Sequence, residues 1–150
     1  MKVGICSDHR GLELKKDLIK YLKSLNVEVV DYGTDSKEFS DYPDYAFKVG
    51  EDVSKKKIKY GICICGSGIG MSIAANKVKG VRCAHVSTIK ETYYTRNDND
   101  ANVIGIGADL SINKAHRIVE TFLSTEFSKV DRYIKRNKKI SKYEGSTYEC

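Results

Sequence analysis

Five short apolar runs, each followed by a stretch of helical periodicity, constrain this chain more than any other feature. The runs at 3–6, 27–30, 61–65, 81–86 and 103–106 are rich in Val, Ile and Cys, with Glu28, Arg82 and His85 the only polar side chains among them. Near-continuous runs of this kind read as strands buried on both faces, whereas a sheet with one wet face needs alternating polar residues. Between them, Leu14, Leu18, Leu22 and Leu25 recur at helical spacing. Helices are also expected over 44–56, 70–78 and 88–97. Ser111 can cap a helix whose apolar face is Ala115, Ile118, Val119, Phe122 and Leu123. Residues 33–43, with Gly33, Ser40, Asp41 and the only proline, Pro43, form a loop into helix 44–56. A last, strongly basic helix is expected over 128–141. The alternation predicts an α/β fold in which helices cover both faces of a five-stranded parallel sheet, with a basic helix at the C-terminus. No linker, repeat or low-complexity stretch interrupts it, so 1–150 is expected to form one domain.

At 150 residues the chain can bury roughly 70% of its unfolded surface, so it needs neither disulfides nor a structural metal for stability. Its net charge of +6 is uneven: residues 128–150 hold seven Lys/Arg against three Asp/Glu, and residues 1–127 hold 19 against 17. That basic tail reads either as a diffuse nucleic-acid patch or as a focused site for a small anion. Few aromatic residues interleave with its cations, only Tyr133 and Tyr143, which argues against a nucleic-acid platform. No apolar run approaches the roughly 20 residues that span a membrane. The apolar start is too short for a secretory signal, with charge already present at Asp8. The five cysteines are odd in number and four of them sit in apolar runs, which points to free thiols in a reducing cytoplasm.

Parallel α/β sheets bind ligands beyond the carboxyl ends of their strands. The segments to weigh are therefore 7–11, 31–34, 65–70, 87–89 and 107–109. The strongest is Cys65-Gly66-Ser67-Gly68-Ile69-Gly70, a strand running into a glycine loop and then a helix. Such a loop converges backbone N–H groups on negative charge, or else is a tight turn chosen for packing. A P-loop lacks its Lys-Ser/Thr here, and no acidic residue ends the strand at 81–86 to hold a ribose, so a dinucleotide site is disfavoured. Cys65 stands immediately before these N–H groups, a position that favours its thiolate as nucleophile or base. Cys63 reads as a core residue, and Cys63-x-Cys65 is too close for a zinc pair.

Asp8-His9-Arg10 follows the first strand and offers a carboxylate, an imidazole and a guanidinium, suited to proton movement and to phosphate. His85 and His116 read as structural. The segment Asn97-Asp98-Asn99-Asp100-Ala101-Asn102 is either a plain turn cluster or a set of short polar groups reaching the same sheet edge as Cys65. Arg132 and Arg136, four residues apart, share a helix face and can clamp a phosphate; Lys135, Lys138 and Lys139 read as solvated.

These pieces, together with Val29-Val30-Asp31-Tyr32-Gly33-Thr34, Asp41-Tyr42-Pro43, Ser72-Ile73-Ala74-Ala75-Asn76-Lys77 and Gly80-Val81-Arg82, carry a resemblance over nearly the whole chain. The sequence resembles the ribose-5-phosphate isomerase B / galactose-6-phosphate isomerase (RpiB/LacAB) family. The resemblance implies a three-layer Rossmann-like fold and a cofactor-free aldose–ketose isomerase of phosphorylated sugars. It also implies a homodimer or dimer of dimers with active sites at the subunit interface, and a tail at 128–150 that contacts the partner. By position, Cys65 resembles the base, and Ser67 stands where a Thr is usual. The N–H groups from Gly66 through Gly68 and Ile69 to Gly70 would stabilise the enediolate. Asp8 would contact sugar hydroxyls and assist ring opening, His9 would hold phosphate, and Tyr42 and Asn99 would touch substrate.

Two departures stand out. Asp98 occupies the place of the His that serves ribose isomerases as the proposed ring-opening acid. A carboxyl with a pKa of about 4 donates protons poorly at pH 7 unless burial raises it. Galactose-6-phosphate isomerases also lack this His, so the change points either to a different sugar, galactose 6-phosphate or allose 6-phosphate, or to an open-chain tetrulose phosphate. In the tail, Lys129-Val130-Asp131-Arg132-Tyr133 replaces a Gly-Gly-Arg-His segment, and one inserted residue restores Arg132 and Arg136 as phosphate ligands.

Overall fold

The computed structural model describes all of residues 1–150. Its elements are β1 (Lys2–Ser7), a 3-10 turn (His9–Gly11), α1 (Leu12–Ser24), β2 (Glu28–Asp31), α2 (Tyr42–Ser54), β3 (Tyr60–Cys65), α3 (Ile69–Ala75), β4 (Cys83–His85), α4 (Ile89–Asn97), β5 (Val103–Gly107), α5 (Ile112–Ser124) and α6 (Asp131–Glu144). The strands form one sheet in the order β2-β1-β3-β5-β4, and every pairing is parallel. The two-residue period of a strand divides the core into two layers. Val3, Ile5, Ile62, Ile64, Ile104 and Ile106 pack against Leu14, Leu18 and Leu22 of α1 and against Ala115, Ile118, Val119 and Phe122 of α5. On the other face, Cys6, Cys63 and Cys65 meet Ala46, Val49 and Val53 of α2 and Met71, Ala74 and Ala75 of α3. The expected three-layer, Rossmann-like α/β architecture is what the chain adopts.

Differences from the sequence expectation lie at element ends. The run at 81–86 contributes only Cys83–His85 to the sheet. Val81 and Val86 are buried outside the strand, although Val86 N still donates to Gly105 O of β5, so apolar burial overstates the strand. Helix α3 stops at Ala75, not 78, because the Asn76 side chain turns to the start of β4, donating to Cys83 O and accepting from Cys83 N, both at 2.8 Å. Helix α6 is displaced by three residues and ends at Gly145, whose left-handed φ of 86° closes it. Only Asn137 and Ser141 of α6 are buried, while Tyr143 is 97% exposed, so this helix stands largely clear of its own sheet.

The chain runs from β1 outward to β2 and then crosses to the other side of β1 to make β3. That reversal opens a crevice beyond the carboxyl ends of β1 and β3, where Asp8 and Cys65 emerge. The loop after β2 is pinned beside it. Ser7 N donates to Gly33 O and Thr34 N to Ser7 O, each at 2.7 Å. Lys15, 1% exposed, is bonded at 2.6 Å to both Asp31 Oδ1 and Thr34 O.

Candidate active site

Asp8 caps the 3-10 turn. Its Oδ1 accepts from Arg10 N at 3.0 Å and Gly11 N at 3.1 Å, and its own N–H donates to Ile64 O, which ties the turn to β3. The carboxylate is 5% exposed, and Oδ2 receives no protein donor. His9 is fixed by the loop after β2: its N–H donates to Ser40 Oγ at 3.0 Å, and Ser40 N donates to His9 Nδ1 at 3.2 Å. An Nδ1 that accepts a backbone N–H assigns the ring proton to Nε2, leaving that atom as a donor. The ring leans on Phe39, with centroids 5.2 Å apart.

At the end of β3, Cys65 is 5% exposed and its Sγ accepts from Gly68 N at 3.2 Å. Gly68 has φ +80, and a Cβ there would sit 2.6 Å from the Ile106 carbonyl carbon, so both its conformation and its close approach to β5 require glycine. Ser72 Oγ donates to Gly68 O at 2.8 Å, and Ile69 N donates to Ser67 Oγ at 3.2 Å. The N–H groups of Gly66, Ser67 and Gly70 donate to no atom of the chain. Tyr42, opening α2, lies against Gly70: a Cβ added there would be 2.8 Å from the phenol oxygen. Cys63 differs from its neighbour. A hydrogen bond with Cys6, followed by full burial, pushes its thiol well up, so it stays protonated.

Asp8, His9, Tyr42, Cys65, Ser67 and the loop Gly66–Gly70 thus converge. Asp98 and Asn99 do not join them. In a parallel sheet the residues preceding a strand sit at its amino end, and Gly61 N bonds Asn102 O at the start of β3. The four residues of rise from Gly61 to Cys65 place this segment about 13 Å away along the strand. The expectation that 97–102 reaches the edge of Cys65 is therefore overturned within one chain. Asp98 accepts from Asn97 Nδ2, and Asn99 O accepts from Arg82. Asn97 O in turn accepts from Ser128 N and Oγ, which sets the start of α6 beside them. Arg132 and Arg136 do share a face, both lying over the Tyr133 ring at 4.6 and 5.9 Å, and neither has a carboxylate partner. The residues form two groups, one at each end of the sheet.

One residue at the Cys65 end escaped the sequence reading, and another, Arg10, was read there only as a cation suited to phosphate. His85, taken as structural within a strand, stands at the exposed end of β4 with Nε2 2.8 Å from Ser67 O, so it braces the glycine loop. Its place as the last strand residue at the ligand edge was the available signal. Arg10 lies across Gly66, where a Cβ would fall 2.0 Å from its Nη1. His116 pairs with Asp17 and stacks on Tyr21, away from the site. No three His, Cys, Asp or Glu side chains gather in a metal-ligating cluster. No helix is long and apolar enough to cross a membrane.

A family model described as ribose/galactose isomerase matches residues 3–140. A ribose-5-P isomerase B of Listeria innocua is 39% identical over 129 residues, covering 85% of this chain and 87% of that protein. The solved ribose-5-phosphate isomerase B of Clostridium thermocellum superposes with a TM-score of 0.94 at 42% identity, covering 97% of this chain and 98% of that one. The enzyme of Mycoplasma genitalium, solved with bound ribulose 5-phosphate, gives 0.92 at 39% identity and 97% coverage of both chains.

Proposed function

The chain belongs to the ribose/galactose isomerase family and is an aldose–ketose isomerase; on that premise we propose that it interconverts ribose 5-phosphate and ribulose 5-phosphate with Cys65 as the base. The observation that carries this reading is the Cys65 sulfur held 3.2 Å from Gly68 N, in a loop where the N–H groups of Gly66, Ser67 and Gly70 are free. As thiolate, Cys65 takes the proton from C2 of the open-chain aldose. The C2–H electron pair forms the C1–C2 double bond, and the carbonyl π pair moves to O1. The free N–H groups of Gly66, Ser67 and Gly70 meet the charge of this cis-enediolate. Fixed donors aimed at developing charge are the largest contribution such a site makes. The proton on O2 then passes to O1, and C1 receives the proton held by Cys65, giving the ketose with no cofactor consumed.

Asp8 Oδ2 is free for a sugar hydroxyl, His9 Nε2–H for the phosphate, and the Tyr42 phenol for a further hydroxyl. Asp98, Asn99, Arg132 and Arg136 stand at the other end of the sheet and serve the Cys65 site of a second copy. The working unit is then a homodimer or a dimer of dimers, with α6 reaching across while the residues after it pack on their own chain. Asp98 in place of an imidazole favours a second reading for the substrate: galactose 6-phosphate, allose 6-phosphate or a tetrulose phosphate that needs no ring opening.

Assay of that panel with solvent-deuterium exchange tests both readings. Exchange into ribose 5-phosphate, lost in Cys65→Ala while binding persists, supports the proposal. Exchange into another member alone transfers the activity to that sugar. Binding with exchange into none would make the chain a phosphosugar-binding module.

A further inference from the structure

Arg10, read from the sequence only as a cation suited to phosphate, lies across Gly66, the residue that follows Cys65. Its backbone N–H is held by Asp8 Oδ1 at 3.0 Å, so the turn fixes where the side chain leaves the main chain. From there it crosses Gly66, with Nη1, Cζ and Nε 2.0, 2.2 and 2.7 Å from the place a Cβ would take. With glycine there, the guanidinium lies directly against the main chain. Arg82 and Arg96 share the Asp100 carboxylate, whereas Arg10 has neither an ion pair nor a side-chain hydrogen bond and is exposed. A planar fork of donors, always charged and without an anion of its own, thus lies against the residue that follows Cys65.

Its neighbour His9 turns the other way, towards Ser40 and Phe39. The two side chains therefore serve different ends of a bound molecule. We propose that Arg10 is a further catalytic residue that donates to the enediolate oxygens at the reacting end, adding a full positive charge to the backbone N–H groups of the glycine loop. This rests on the isomerase reading above and deepens it.

Two ligands separate the roles. A phosphorylated hydroxamate mimics the anionic enediolate, and the corresponding alditol phosphate carries the same phosphate on a neutral reacting end. By calorimetry, Arg10→Gln is expected to weaken the hydroxamate on the order of 10-fold while leaving the alditol phosphate within about twofold. In turnover, kcat is expected to fall by a similar or larger factor with KM nearly unchanged, and Arg10→Lys to recover part of the loss. Equal weakening of both ligands, a rise in KM alone, or no change would overturn the proposal. The side chain is exposed, and matching thermal melts of both variants check that the fold persists. Wild-type protein without turnover on the phosphosugar panel would count against the isomerase reading, and the ligand pair would still decide Arg10.

Discussion

The chemistry rests on a few atoms whose surroundings separate chemically identical groups. Cys63 and Cys65 are two residues apart on one strand face, yet Cys63 is enclosed with Cys6 and held protonated while Cys65 receives an N–H at the mouth of the crevice. Cys65→Ala should therefore abolish exchange, and Cys63→Ala should leave it within a few-fold at a stability cost of about 1 kcal/mol, read from urea melts. At Gly68 the left-handed backbone and the contact with Ile106 act together. Gly68→Ala should lower stability by about 2 kcal/mol or more and remove activity with it. His85 acts through the Ser67 carbonyl, so it is a positioning residue. Loss of its donor in His85→Val should reduce kcat about fivefold, the worth of one hydrogen bond, and His85→Gln, which retains a donor, should recover most of it.

Among elements, α4 shows how local chemistry fixes an end. Thr88 Oγ1 accepts from Glu91 N at 3.1 Å while the Glu91 carboxylate accepts from Ser87 N and Thr88 N. Those N–H bonds, Ser87 first, hold Glu91 below the usual carboxylate range. A depressed acid stabilises the fold at neutral pH and loses that contribution as pH falls below about 4.3 and through its lowered value. Thr88→Ala should cost about 1 kcal/mol at pH 7, and Glu91→Gln should flatten the acid limb of the melting profile. Most elements were legible because their cause is local: β-branched runs buried on both faces, Leu spacing in α1, Ser111 before α5. What was not legible depends on neighbours. Nothing in Val81 to Val86 tells burial beside a ladder from burial within it, and nothing in 70–78 announces that Asn76 will turn to Cys83. That Arg10 lies over Gly66, 56 residues further on, is likewise a contact between distant parts of the chain. The misplacement of 97–102 had another origin, since chain direction in a parallel sheet already puts a segment that enters β5 at the amino end.

For the whole molecule, the proposal that Arg132 and Arg136 serve a second copy's Cys65 would leave one copy incomplete. Cys65→Ala and Arg136→Ala should each be inactive. Mixed in equal amounts and allowed to exchange subunits, they should recover about a quarter of wild-type activity, because half the dimers are mixed and each mixed dimer holds one intact site. Recovery of none would place Arg136 in its own chain's site. The opposite end is closed by the C-terminal tail, where Tyr148 donates to Asp100 Oδ2 at 2.9 Å and lies under Arg82. Burial, with the Asp100 charge adding to it against the Asn137 contact, pushes this phenol up to about 12. A group that binds its proton more tightly when folded stabilises fully below its ordinary pKa of about 10, and loses that stabilisation as pH rises to about 12. Stability should fall across that window, and Tyr148→Phe should lessen the slope.

The glycine loop has one more consequence. Contacts from β5, from Ser72, from His85 and from the Cys65 sulfur all hold it in place. An anion arriving there meets donors that were ordered when the chain folded, and the loop itself does not have to rearrange. Turnover should then be indifferent to solvent viscosity. Injury to the centre of the sheet, far from any sugar contact, would be registered first as lost rate and only later as a lower melting temperature.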